Sequence, residues 1–480
     1  MPDKKRLIQK SYSIFRIFLD IMKSYSRAEK QAALAAATFA AFLTPFLGAA
    51  LNVALPTIGE EFEANAIHLN LIATVYLLST AMFILPFGKL GDIVGRKKIF
   101  SYGLIVFLVS TVMGALSPSM TFLIIFRVLQ GIGSAMIFGT AVAILTSIFP
   151  PGERGRALGI NVAAVYIGLS VGPFVGGLLT QYLGWRSVFW VLIPFGIVAF
   201  ILIRIKIKGD WADSMGEKFD WWGSLFYMFT LLFLMIGFSF LPEWYGYIFI
   251  LIGCLSLFLF IRFENRISNP LLEISLFRLN RVFAFSNLAA LINYSATFGV
   301  GFLMSLYLQY IKGLDPRGAG IILVVQPLIM AVFSPVTGKL SDRIQPQLLA
   351  SIGMAFTTVG LVLLIFLQAD THIAYVLFVL SLLGIGFALF SSPNTNAIMS
   401  SVERKHLGIA SGAVGTMRMI GQMLSMSIVL ILFSVLIGKA EISPEVHGAF
   451  LSSMHIAFLI FSVLCFVGIF ASVARGKIGK

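Results

Sequence analysis

Long apolar runs alternate with short charged breaks along the chain, and each run approaches the roughly 20 residues that a helix needs to cross a bilayer. Reading the runs with their breaks predicts fourteen spans, at about 32–55, 69–88, 99–117, 121–148, 156–180, 187–206, 221–240, 246–262, 282–310, 317–338, 347–367, 373–399, 407–437 and 449–473. Ten-residue segments of alternating polarity, the mark of an outer-membrane barrel, are missing. The pattern therefore predicts an all-α integral membrane protein. An even number of spans puts both ends of the chain on one side. Ahead of the first run, Ile8, Tyr12, Phe15, Leu19 and Met22 recur at four-three spacing among basic residues. That spacing predicts an amphipathic helix on the membrane surface, with a frayed basic tail as the alternative. No short apolar region and cleavage site follow, so the first 31 residues do not read as a typical signal peptide.

Composition supports the pattern. The 480 residues are 58% hydrophobic and 12% charged, whereas about a quarter of the residues of a soluble protein are charged. A net charge of +14 raises the question of nucleic acid. The distribution answers it: about 29 of the 35 Lys and Arg fall on one side of the predicted topology. That is the positive-inside bias. It places both termini in the cytoplasm of a cell (inner or plasma) membrane and points to anionic lipid, not a polynucleotide, as the basic partner. Cys254 and Cys465 both lie inside apolar runs, which gives no disulfide framework.

One stretch is unlike the rest. Gly88 to Lys98, GKLGDIVGRKK, is charged and broken by Gly88, Gly91 and Gly95, which allow tight turns and close approach. Asp92 lies among Lys89, Arg96, Lys97 and Lys98, with cations to pair with or a helix N-terminus to reach. A weaker copy, GKLSDRI, carries Gly338, Asp342 and Arg343. Two copies of a hinge in two halves of a membrane chain predict a transporter built from repeats. The first copy resembles the loop signature of the major facilitator superfamily, G-x-L-x-D-x-x-G-R-K. Further motifs make the chain similar to the fourteen-span drug:proton antiporter family over nearly its whole length after about residue 32. The hinge copies then define the plan: a basic N-terminus at 1–31, a six-helix bundle at 32–206, a linker with an inserted helix pair at 207–281, a second six-helix bundle at 282–473 and a tail at 474–480. In the resembled family the inserted pair lies beside the bundles and outside the pathway.

Within the spans, Asn52 stands in N-V-A-L-P, which resembles the family's first-span signature; its two readings are a pathway-lining amide and an interhelical hydrogen bond. Relatives usually carry an aspartate five positions earlier, where this chain has Leu47. Arg127 and Gln130, in RVLQGIGSA, match the family's R-x-x-Q-G-x-G pattern, in which the arginine takes part in proton coupling. An arginine buried in a span costs about 2.5 kcal/mol or more, so it needs a partner, a wet cavity or a snorkelling route to the surface. Gly168, Gly172, Pro173, Gly176 and Gly177 match the antiporter signature G-x-x-x-G-P-x-x-G-G, expected to form a tight seam between the bundles; a small-residue face used only for packing is the alternative. Arg418, in SGAVGTMRMIGQ, falls near mid-membrane, for coupling or for packing.

No Asp or Glu is central to any predicted span. Arg127 and Arg418 therefore lack an obvious carboxylate, and the remaining partners are Gln130, Asn161, Gln326, Gln422, carbonyls, water or an anion. A dication in such a cavity would go uncompensated, which favours a neutral lipophilic or anionic substrate. His455, near the start of its span, reads as a packed histidine, and Asp92 as a conformational lock. There is no phosphate-cradling loop, zinc spacing or intramembrane carboxylate pair, so no enzyme chemistry, metal or cofactor is expected. The sequence reading is a monomeric secondary transporter exporting small amphipathic compounds (drug efflux), with protons as the coupling ion. An uptake porter or facilitator for a metabolite is the alternative, and a non-transporting membrane sensor a minor one.

Overall fold

The computed structural model describes residues 25–476 except 208, 213, 242, 268–269, 342, 403–406, 439–441 and 443. Among them all regular structure is helical, and fourteen helices are long and apolar enough to span a membrane. We number these α1 (Arg27–Phe62), α2 (Ala66–Val94), α3 (Arg96–Ala115), α4 (Met120–Ile148), α5 (Gly159–Leu183), α6 (Ser187–Lys206), α7 (Trp221–Ser239), α8 (Trp244–Glu264), α9 (Arg281–Ile311), α10 (Pro316–Ser341), α11 (Pro346–Leu364), α12 (Ile373–Ser400), α13 (Gly412–Leu436) and α14 (Pro444–Ala474). Each coincides with one predicted run. The ends extend because polar caps continue the helices beyond the apolar stretch. α1 starts five residues early, where Ser26 and Glu29 form a capping box. Asn65, Ser119, Asp220 and Asn280 likewise accept from the first free amides of α2, α4, α7 and α9. The predicted amphipathic helix at Ile8–Met22 lies outside the described residues, as does Asp342.

Two six-helix bundles repeat one pairing scheme. In the first, α1 packs on α5, α3 on α4 and α2 on α4; in the second, α9 packs on α13, α11 on α12 and α10 on α12. The repeat extends to single glycines. A Cβ on Gly103 of α3 would meet the Gly133 carbonyl of α4 at 3.0 Å, and one on Gly353 of α11 would meet the Gly386 carbonyl of α12 at 2.6 Å. Both pairs of helices therefore touch backbone to backbone, which only a missing side chain permits.

The inserted pair α7–α8 packs on itself, and α7 leans on α2 and α13, where the Tyr227 hydroxyl donates to the Ala81 carbonyl at 2.7 Å. α8 presents Leu251, Leu255 and Phe258 outward, more than half exposed. It has the lipid-facing surface of a peripheral helix. Between the bundles the contacts run along α5–α10, α2–α13 and α1–α9.

Candidate functional site

The hinge differs from the predicted turn. α2 continues as helix to Val94, so Gly88, Gly91 and Asp92 are helical, and the chain reverses at Gly95 alone, with φ at +126°. Gly88 and Gly91 instead give close approach, to Gly139 and Thr140 of α4. Asp92 Oδ1 accepts from Arg96 Nη2 at 2.6 Å and from Nε at 2.7 Å, and Arg96 Nη1 reaches Ser147 at 2.8 Å. The N-terminus of α3 is occupied by another carboxylate: Asp210 accepts from the amides of Lys97 and Lys98 at 2.8 and 3.2 Å.

Asp210 belongs to a strap formed by the linker after α6. Arg96 N donates to the Trp211 carbonyl, Ser214 N to the Asp92 carbonyl, and Lys89 Nζ to Glu217 at 2.7 Å. Trp211 Nε1 donates to the Tyr25 hydroxyl at 2.6 Å. The sequence reading missed the strap, because its residues carry neither a period nor a motif. A Gly-Asp pair just past a basic span end was the available signal. In the second copy, Gly338 faces Ser392 of α12 and Arg343 follows the end of α10, with its amide bonded to the Leu340 carbonyl.

A cavity of about 2690 Å³ lies between the bundles. It runs from mid-span residues such as Asn52, Tyr294 and Gln422 to the end that carries the hinge, where Lys89, Phe149 and Trp211 line it. The opposite end is closed. A Cβ on Gly177 of α5 would collide with the Pro316 carbonyl of α10, and one on Gly320 would collide with the Pro173 carbonyl. Ser305 Oγ donates to the Asn52 carbonyl at 2.5 Å, Gln309 to the Val53 carbonyl at 3.0 Å and Asn70 to the Met426 carbonyl at 3.2 Å.

The glycine signature of α5 serves two neighbours. On one face a Cβ on Gly168 or Gly172 would come within 2.9 Å of the Phe42 or Phe46 carbonyls of α1, and Gly176 abuts Ala50. Pro173 and Gly177 form the other face, against α10. Helical spacing accounts for the division, since residues four apart share a side.

The two arginines differ. Arg127 is 3% exposed and held on three sides: Nε donates to the Ile72 carbonyl at 3.0 Å, Nη1 to Gln130 Oε1 at 2.5 Å, and the guanidinium lies 4.1 Å from the Tyr76 ring centroid. Gln130 passes the chain on to Thr111 at 2.7 Å. The arginine does not snorkel. Arg418 lines the cavity, its Nε is buried without a hydrogen-bond partner, and its guanidinium lies 5.6 Å from the Phe138 ring across the bundle interface. Of the other amides suggested as partners, Asn161 donates to the Ala37 carbonyl at 2.9 Å, and Gln326 and Gln422 line the cavity. Leu47, in place of the family's aspartate, is 1% exposed and packs in the core of the first bundle. His455 bonds the Leu367 carbonyl at 2.6 Å, which makes it a packed histidine.

Other buried polar groups escaped the sequence reading. Asp220 and Glu264 are 8% and 3% exposed, each holding one backbone amide, of Gly223 and Leu272. Arg475, expected in an exposed tail, is 1% exposed and bonds Ser286, Asn394 and Ser472. Burial pushes its guanidinium down to about 10, still charged at neutral pH. Sequence alone does not separate a buried span end from a free one.

Known proteins resemble this chain throughout. The sequence profile of the Major Facilitator Superfamily matches residues 37–426 and, in a second match, 286–477. The riboflavin transporter RibZ of Clostridioides difficile is 28% identical over 432 residues, covering 90% of this chain and 94% of its own. The multidrug resistance protein Stp of Mycobacterium tuberculosis is 30% identical over 406 residues, covering 83% of this chain and 74% of its own. Among solved structures, a bacterial homologue of the human lysosomal transporter Spinster superposes with a TM-score of 0.69 at 17% identity, covering 94% of this chain and 98% of its own. That likeness concerns the fold.

Proposed function

We propose, from the premise that this chain belongs to the Major Facilitator Superfamily and is a membrane transporter, not an enzyme, that it exports small amphipathic compounds by alternating access driven by proton antiport. The positive-inside bias makes the hinge end cytoplasmic and gives both termini that side. The observation that carries the reading is the cavity of about 2690 Å³, reaching the hinge end and closed at the other by the α5–α10 seam. A cavity open to the cytoplasm is where an exporter loads and an uptake porter releases, and the glycine signature of α5 favours the first. Residues 32–206 and 282–473 act as the two rocking units, the hinge and its strap limit their movement, and α7–α8 stay outside the pathway. Arg127 with Gln130 holds the first unit rigid around the cavity. The multidrug resistance protein among the relatives supports efflux.

A second reading, uptake or facilitated passage of a metabolite, is favoured by Leu47 in the place of the usual carboxylate and by a relative that transports riboflavin. One experiment separates the two. Purified protein in liposomes with an interior pH dye is given a proton gradient and a panel of lipophilic cations, neutral dyes and organic anions. Export by antiport predicts substrate-dependent proton flux, largest for neutral or anionic compounds. Substrate movement without proton flux would replace antiport by facilitation.

A further inference from the structure

We infer that Arg418 is the anchor for the negative group of an aromatic substrate, a carboxylate or an equivalent delocalised anion held at mid-membrane between the two bundles. The inference rests on reading the cavity as the substrate site.

The charge distribution comes first. The carboxylates lining the cavity among the described residues are Asp92, Asp210, Glu217, Glu264 and Glu273, all on the hinge, the linker or span ends. Arg418 stands eleven residues beyond the start of its helix at Leu407, which is about 17 Å of helical rise from the hinge end. At that depth a carboxylate from the protein is lacking among the described residues, and Leu47 fills the position where relatives carry one. A guanidinium at mid-membrane without a counter-charge is costly, and a bound anion relieves that cost.

Hydrogen bonding points the same way. Arg127, also in the cavity wall, has its Nε and Nη1 donating to Ile72 and Gln130. Arg418 has a buried Nε aimed at no acceptor and makes its recorded contact with the Phe138 ring. The planar fork of arginine matches a carboxylate in two parallel bonds, so its free donors define a ligand position. The surroundings add a shape. Phe138 of α4 faces the guanidinium, Tyr166 of α5 lies within electrostatic reach of both Arg418 and Tyr294, and Tyr294 packs edge-on against Phe387 with centroids 5.6 Å apart. An aromatic ring with an acidic substituent suits a ring-lined pocket with Arg418 and Arg127 in its wall. Because Phe138 and Arg418 come from different bundles, such a ligand also touches both moving units.

The test is equilibrium binding of 2-naphthoate, its uncharged methyl ester and 2-naphthylmethylammonium to the purified full chain in nanodiscs. Wild type should hold the acid at least tenfold more tightly than the ester, and the ammonium least. R418Q should weaken the acid about tenfold to a hundredfold, as for loss of a charge-assisted hydrogen bond, and leave the ester unchanged. The retained ester shows that the cavity is still folded. R418K, a charge without the fork, should fall between, and F138L should weaken acid and ester alike. No binding of naphthoate to wild type, an acid-to-ester ratio that survives R418Q, or ammonium binding equal to acid would overturn the inference. Binding needs no gradient, so a protein that holds naphthoate through Arg418 yet moves nothing in liposomes overturns the export reading alone.

Discussion

The clearest contrast between single residues is Arg127 against Arg418: one cation is satisfied by a carbonyl, an amide and a ring, the other retains a buried free donor. Identical side chains thus have different surroundings, which is why we propose bundle rigidity for one and ligand capture for the other. Asp92 is the third informative residue. Its two bonds from Arg96 tie the last turn of α2 to the first of α3. Charge-assisted bonds of this kind are roughly twice as strong as neutral ones. Asp92→Asn keeps the shape but removes the charge, so uptake into inverted vesicles should drop at least tenfold while the thermal melt stays near wild type. Transport near normal would remove the locking role. That Asp92 would pair with a cation such as Arg96 was readable from their nearness in one charged stretch. That Asp210, more than a hundred positions later, takes the α3 N-terminus was not.

At the scale of elements, α5 is the helix on which both interfaces meet. Its Gly168, Gly172 and Gly176 sit on α1, and Gly177 on the carbonyl of Pro316 in α10. The first contact lies inside one bundle and the second joins the two, so under the proposed alternating access only the second would break in each cycle. Replacement of each face therefore has a different signature. Gly172→Val would lose close packing within a bundle and lower stability by about 1–3 kcal/mol, as overpacking does. Gly177→Val would spare the fold but wedge the seam. Transport should fall at least tenfold, with a cysteine placed at Gly301, which lines the cavity behind the closed end, reacting faster with a membrane-impermeant maleimide added from the far side. An unchanged labelling rate would mean that the seam does not close the far end.

For the whole molecule, the strap is the feature that links the linker to the hinge. Its ion pair is the half-buried Lys89–Glu217. The bond from Lys89 holds the Glu217 carboxyl below its ordinary value of 4.5. A lowered carboxylate pKa stabilises the folded arrangement above the unfolded value, and the contribution is lost as pH falls through the folded one. A single ion pair near the surface contributes about 1 kcal/mol, enough to bias a local opening but not the fold. Hydrogen exchange at 210–218 should therefore be slow at pH 7, fast below pH 4, and fast at both values in E217Q after correction for intrinsic rates. Equal protection in E217Q and wild type at pH 7 would detach Glu217 from the strap.

The fourteen spans and the glycine signature were determined by the sequence itself, because a bilayer requires about 20 apolar residues per crossing and a close helix contact requires small residues at helical spacing. Those are local requirements, met within a few turns of one helix. Tertiary structure decided the rest. It showed that Gly88 and Gly91 serve contact and not a turn, that Arg475 is buried, that Asp210 caps α3, and that Arg418 faces Phe138 from the other bundle. Each of these depends on which groups from distant segments meet at one point. A side chain's partners are set by the packing of whole helices, and spacing along the chain carries no record of it.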